Sequence, residues 1–385
     1  MRLIAMAAIL GLLITPGCVR VNVKVPDPEA GSAAAGGGSG SPAGLAPSQL
    51  PLSGSWKDIA IAKAGEIFLD TQQGALFYAY DSLAYPGQPV ELGARLQSAA
   101  GFGGIKDVEL EFVLDGQPVG AAKTDESGIA RFGWTPPKEG DYEFLVKVKQ
   151  VPDESLEPLL KLEPAPLLAA ARPKAAQFVV IDLDRTVVDA GFFKVLLGGA
   201  APAVGSTRVT RRLAGKYSVI YLTQRPDLLV TKSKLWLRGN DYPAGPLLVS
   251  GIRELASGNL QYKQARLTQV MKSYPNVRIG IGDKISDAQV YLDAGLAAYL
   301  LPYYQRDPRE MLRIADEIET LAASAKKGQL QVVSKWDQIE AGIFSDQQFP
   351  ADAFVRNLRQ EARQLQAQSD RQQDPPDRDD EKDDD

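Results

Sequence analysis

The 385-residue chain contains no histidine and a single cysteine. The missing histidine excludes a Ser-His-Asp triad, a Cys-His pair and an HExxH zinc site. The one thiol, Cys18, follows an N-terminal apolar run, and Lys24 stands where a Cys-x5-Arg loop needs its arginine. Any catalysis must therefore come from Asp, Glu, Lys, Ser, Thr, Tyr or a bound metal. One cysteine also rules out an internal disulfide. No block of basic residues is present, so no nucleic-acid partner is expected.

Apolar residues make up 44% and charged residues 24%, as in ordinary globular chains, and the length suggests two or three domains. The net charge of −5 is unevenly spread: residues 370–385 hold nine acids against three bases, which leaves the remainder near +1. The acidity belongs to the tail and not to the folded surface.

Residues 1–17 read as an export signal, with Arg2 as the charged region and Leu3 to Ile14 as an apolar run too short to span a bilayer. The run closes on Thr15-Pro16-Gly17-Cys18, which resembles a bacterial lipoprotein lipobox, with Thr15 where that family usually has Leu. The resemblance implies lipidation of Cys18 and a membrane partner through that anchor. An ordinary signal peptide with an incidental cysteine is the alternative. Val19 is not the Asp that implies inner-membrane retention, so the expected location is the periplasmic side of the outer membrane. Residues 18–54 contain the Pro/Gly/Ala/Ser-rich stretch Pro26 to Ser48, expected as a flexible tether of about 25 Å.

Residues 55–150 carry short period-two runs broken by turn residues. Val108, Leu110, Phe112 and Leu114 alternate with polar residues up to Asp115-Gly116; Ala130, Phe132 and Trp134 follow, then Tyr142, Phe144, Val146 and Val148. This pattern argues for an antiparallel β-sandwich. Its turns resemble those of bacterial immunoglobulin-like and transthyretin-like modules, and the segment is expected to be a spacer or packing domain without chemistry of its own. Residues 151–175, with five prolines, are expected to be a linker.

From residue 176 the pattern changes. The apolar runs Phe178 to Ile181, Val219 to Leu222, Pro246 to Val249, Val277 to Ile281 and Ala297 to Leu301 alternate with helical stretches. Near-continuous apolar strands of this kind predict a parallel sheet covered by helices on both faces, with its ligand site at the carboxyl ends of the strands. The expected core spans 176–305. Residues 306–368 read as a helical extension, with helices over Glu310 to Ala325 and Asp352 to Gln368, and 369–385 as a disordered acidic tail.

Four polar groups punctuate these strands: Asp182-Leu183-Asp184-Arg185-Thr186 after the first, Thr223 after the second, Lys263 in a later helical stretch, and Asp283 with Asp287 after the fourth. Each alone has a bland reading as a turn former, helix cap or solvated charge. Together and in order they resemble the haloacid-dehalogenase (HAD) superfamily. The resemblance implies a Rossmann-like α/β fold and a phosphatase. By it, Asp182 is the nucleophile that forms an aspartyl-phosphate, and Asp184 is the acid and base. Thr223 and Lys263 stabilise the phosphoryl group, and Thr186 lies at the substrate. Mg²⁺ is held by Asp182, the Asp184 carbonyl, Asp283 and Asp287. Arg185 stands where the family usually has Gly, a residue that permits backbone angles Arg resists.

The gaps from Asp184 to Thr223 and from Thr223 to Lys263 are too short for a large cap domain, so the site is expected to be open to a large or membrane-held phosphoester. Tyr221 to Pro226 and Tyr242 to Ser250 further resemble lipin-type phosphatidate phosphatases, which carry a hydroxyl-x-Arg after strand two and a Pro-x-Gly-Pro-Leu-Leu segment. That likeness implies phosphate binding by Arg225 and leaves open whether Asp283 or Asp287 is the inner metal ligand. Phe192, Phe193, Val195, Leu196 and Leu197 either dip into lipid or form the buried face of a first helix. The two resemblances together imply a Mg²⁺-dependent phosphomonoesterase for phosphatidate or a related lipid phosphate. Two alternatives stay open: a phosphatase for soluble or protein phosphoesters, and a lipid-headgroup binding lipoprotein without turnover.

Overall fold

The computed structural model describes residues 71–191, 200–251 and 258–373. The expected signal, Cys18, the tether and the Phe192 to Leu197 run lie outside these residues. No helix among the described residues is long and apolar enough to cross a membrane.

The protein is a mixed α/β structure. Two antiparallel-dominated sheets form a β-sandwich, and a six-stranded parallel sheet flanked by helices follows. In the sandwich, one sheet has the order β1-β2-β4-β7, from Thr71–Gln72, Ala75–Tyr80, Val90–Ser98 and Ile129–Trp134. The facing sheet has the order β3-β9-β8-β5-β6, from Ser82–Ala84, Ala165–Ala171, Gly140–Gln150, Glu109–Leu114 and Gln117–Lys123. Leu92, Leu96, Leu110, Phe112, Phe144 and Leu167 fill the space between them.

The segment expected as a linker is part of this sandwich. Residues 154–161 form a 3-10 helix whose Asp153 cap accepts from the Ser155 amide at 3.0 Å. Strand β9 pairs antiparallel with β8 and parallel with β3. The prolines obscured a strand because Ala165–Ala171 is buried on both faces, so its small apolar residues show no period-two alternation.

The parallel sheet has the order β12-β11-β10-β13-β14-β15. Its strands are β10 Phe178–Ile181, β11 Ser218–Pro226, β12 Leu247–Ser250, β13 Val277–Gly282, β14 Ala297–Leu300 and β15 Leu330–Val332. Successive residues serve opposite cores. Phe178, Val180, Ile220 and Leu222 face one side, packed under helices α3 (Asn259–Ser273), α4 (Ile285–Asp293), α5 (Pro308–Ser324) and α7 (Ala351–Gln373). Val179, Ile181, Val219 and Tyr221 face the other, under α1 (Ser206–Ala214), α2 (Val230–Gly239) and α6 (Trp336–Ser345).

The boundary expected at residue 305 does not end the unit. Strand β15 extends the sheet, and α5 and α7 cover one face. Helix α7 continues through Gln373, past the expected start of disorder at 369; the tail beyond it lies outside the described residues. With only three residues, Leu330–Val332 falls below the length at which apolar periodicity is readable.

The sandwich and the parallel sheet share a core. Strand β2 turns Ala75, Phe77 and Ala79 into the sandwich, while Leu76 and Tyr78 join the cluster of Val179, Tyr221 and Val230. A strand apolar on both faces has no solvent side, which is why β2 is buried almost throughout.

Candidate active site

From β10 the chain runs outward through β11 and β12, then returns to the other side of β10 as β13. The strand order reverses between β10 and β13, and in open parallel sheets ligands bind at such a crevice. Asp182 follows β10 and Asp283 follows β13. The Asp182 amide donates to the Ile281 carbonyl at 2.9 Å, which carries the parallel pairing one residue past β10 and sets the two acids side by side.

Asp182, Asp283 and Asp287 are all buried, and each offers an oxygen within 4.8 Å of the others'. Lys263 reaches them from α3. Its Nζ donates to Asp182 Oδ1 at 2.6 Å and lies 2.9 Å from Asp287 Oδ1, with the lysine side chain 0% exposed. Thr186 Oγ1 donates to Asp182 Oδ2 at 3.5 Å. Gly282 permits this approach, since a Cβ there would lie 2.8 Å from Asp287 Cβ and Oδ2.

Three buried carboxyls share one buried ammonium. Burial alone would lower the Lys263 pKa, but the carboxylates of Asp182 and Asp287 outweigh it and hold the amine well above its usual value. Burial raises Asp182, against the pull of Lys263. Asp283 is pushed up to about 8, first by burial and then by the charges of Asp182 and Asp287. Its Oδ1 and the Oδ2 of Asp287 are buried without a hydrogen-bond partner. Unpaired hard oxygen ligands, with an excess of two negative charges if all three acids ionise, fit a divalent oxygen-seeking cation such as Mg²⁺.

Asp184 stands apart from this cluster. Its carboxylate meets Arg225, with Nη2 to Oδ1 at 2.8 Å and Nε to Oδ2 at 3.1 Å. Arg225 also donates from Nη1 to Ser233 Oγ at 2.9 Å, and its amide donates to Thr223 Oγ1 at 3.3 Å. The guanidinium expected to grip phosphate is thus directed at Asp184 and α2. Arg185 adopts φ +59°, the left-handed conformation that the usual Gly would take without cost. Its guanidinium stacks 3.7 Å over the Tyr303 ring centroid.

Several contributing residues gave no sequence signal. Asn259, the first residue of α3, donates to Asp287 Oδ1 at 2.6 Å. Trp336, in the C-terminal segment, donates from Nε1 to the Thr186 carbonyl at 3.0 Å and ties down the loop that bears Asp182 and Asp184. Ser233 lies within a helix.

The Pro-x-Gly-Pro segment leads into β12, and its Tyr221 contacts explain the motif. The Tyr221 hydroxyl donates to the Pro243 carbonyl at 3.0 Å and its amide to the Pro246 carbonyl at 3.0 Å. A Cβ on Gly245 would lie 2.5 Å from the Val219 carbonyl oxygen.

Residues 179–300 match the family described as "PITM 1-3, LNS2 domain". This is a lipin-related domain of the HAD-like group, and the match supports a HAD-like phosphatase type for this part of the chain. No curated protein matches the chain. Among solved structures, the CARDB domain of a Pyrococcus furiosus protein is 15% identical over 29% of this chain and 97% of its own, with a TM-score of 0.20. A chain of the Pnkp1/Rnl/Hen1 RNA repair complex is 15% identical over 41% of this chain and 58% of its own, at 0.30. The D00-D0 domain of intimin is 15% identical over 26% of this chain and 49% of its own, at 0.19. The matched regions thus span about half the length of the last two. None of these scores marks a common fold.

Proposed function

We propose that the protein is a Mg²⁺-dependent phosphomonoester hydrolase of the HAD type, acting on phosphatidate or a related lipid phosphate. The observation that carries this reading is the convergence of Asp182, Lys263, Asp283 and Asp287 at the crevice between β10 and β13, with two acid oxygens left unpaired. The lipin-related family match over 179–300 supports it.

Asp182, the Asp184 carbonyl, Asp283 and Asp287 would hold the cation, which when bound neutralises phosphate charge and aligns the ester. An Asp182 oxygen attacks phosphorus, the P–O bond to the alcohol breaks, and Asp184 gives that oxygen its proton. Water then attacks the aspartyl-phosphate, Asp184 takes its proton, and phosphate and the Asp182 carboxylate are released. Lys263 holds Asp182 in place and balances charge on the transferring group. Thr223 offers its hydroxyl to a phosphate oxygen. Anchoring through a lipidated Cys18, at the periplasmic face of the outer membrane, would raise the effective concentration of a membrane-held substrate.

A second reading, headgroup binding without turnover, is favoured by one observation: Arg225 engages the carboxylate on which proton transfer depends. Phosphate release from phosphatidate vesicles and from a panel of soluble esters, with Mg²⁺ or EDTA, separates these readings. The expected result is Mg²⁺-dependent release, greatest from vesicles and lost in Asp182→Asn. Turnover surviving in Asp182→Asn removes the nucleophile assignment. Metal-independent vesicle binding with no turnover of any ester favours the binding module, and preference for soluble esters removes the lipid substrate.

A further inference from the structure

Arg225 reaches Asp184 from a segment that the β-sandwich holds on both sides. Two residues beyond it, Asp227 is buried at the junction of β11 and α2. Its Oδ2 accepts from the Tyr80 hydroxyl, at the end of β2, at 2.9 Å, and from Arg95 Nη1, on β4, at 3.3 Å. Ser233, the other partner of Arg225, precedes Lys234, and Lys234 is bound to the sandwich just as tightly. Its Nζ donates to the Ala79 carbonyl at 2.8 Å and the Pro166 carbonyl at 2.9 Å, and pairs with Asp81 at 2.6 Å. Both chain positions that fix the guanidinium are therefore adjacent to sandwich contacts.

The chemistry of the seam is unusual for an interface held by packing alone. Arg95 retains 22% side-chain exposure while Asp227 retains 3%, and Asp227 Oδ1 is buried without a partner. An ion pair of this kind adds little net stability over well-packed apolar residues, but it fixes geometry closely. Apolar contacts such as Leu76 and Tyr78 already join the two units.

We propose that Tyr80, Arg95 and Asp227 are positioning residues: the sandwich sets the β11–α2 turn, the turn sets Arg225, and Arg225 sets the Asp184 carboxylate. On this view the sandwich is a working part of the site. The inference rests on the phosphatase reading for its kinetic consequence, but not for its structural one.

The test uses the full chain and the variants Arg95→Met, Arg95→Lys, Tyr80→Phe, Arg225→Met and the Arg95→Met/Arg225→Met double. Arg95→Met is expected to lower kcat about tenfold to hundredfold with little change in KM. Tyr80→Phe should act in the same direction but less, and Arg95→Lys should restore most of the rate. In the Arg225→Met background, Arg95→Met should cost nothing further. Losses that multiply in the double variant overturn the proposal, as does wild-type kcat in Arg95→Met. Amide hydrogen exchange supplies a readout that needs no substrate. Arg95→Met should speed exchange at 182–188 as well as at 225–233, with the rest of the protein unchanged. Should wild type turn over no ester, the phosphatase reading fails while exchange still decides this proposal. Faster exchange confined to 225–233, or spread over the whole protein, overturns it.

Discussion

Lys263 Nζ lies 2.6 Å from Asp182 Oδ1 and 2.9 Å from Asp287 Oδ1, in a pocket where the lysine has no solvent exposure at all. One ammonium thereby ties the residue after β10 to the first turn of α4. This tie gives the candidate site its shape without any ligand. Lys263→Met would strip the acids of that charge and is expected to cost about 3–5 kcal/mol of stability. Urea denaturation at neutral pH in EDTA measures it. Adding Mg²⁺ should recover part of the loss, and a cost below about 1 kcal/mol would show that the acids do not depend on the lysine.

The proton on Asp283 gives the metal-free protein a definite pH dependence. Its carboxyl is pushed up to about 8 in the folded state, against about 3.8 for an ordinary solvated aspartate. A raised folded-state pKa means that the folded protein binds this proton more tightly than the unfolded chain. The associated stability is present below about pH 4 and is lost as pH climbs through 8. Melting temperature in EDTA should therefore fall over that window in wild type and fall less in Asp283→Asn. Parallel curves for the two proteins would refute it. Because the cation must displace the same proton, Mg²⁺ affinity should rise with pH over the same window.

Asp81 organises the seam between the two units. Besides pairing with Lys234, it accepts from the Leu168 amide at 2.8 Å and the Leu247 amide at 2.9 Å. Asp81→Asn leaves a buried ammonium without its counter-charge and is expected to cost about 3–5 kcal/mol by chemical denaturation. The Asp81→Asn/Lys234→Met double should regain at least half of that loss. Additive losses would mean that the charges act independently.

Gly282→Ala tests the close approach at the candidate metal-binding acids. The new Cβ would sit 2.8 Å from Asp287, so the carboxylate must move. Displacing a ligand from its set position should weaken Mg²⁺ binding roughly tenfold to a hundredfold, as read by calorimetry. Unchanged affinity would exclude Asp287 as a ligand.

The elements legible in the sequence were those with a strong period or a strong chemical contrast. The apolar runs at 178–181, 219–222 and 277–281 stand out, and the acids Asp182 and Asp283 break them at the strand ends. Strand β9 was hidden because burial on both faces removes alternation, and β15 because three residues carry no period. Asn259, Ser233 and Trp336 were hidden for another reason: a hydrogen bond between residues far apart in the chain leaves no local pattern.

The sequence by itself determined which side chains are available to a site: acids, a lysine and hydroxyls, with no histidine to substitute for them. It also determined the strand ends on which Asp182 and Asp283 sit. The tertiary structure decided the partnerships, turning Arg225 onto Asp184 and bringing Tyr80 and Arg95 of the sandwich to Asp227. Strand periodicity is written in neighbouring residues, whereas the pairing of a charge depends on which distant segments the shared core packs together.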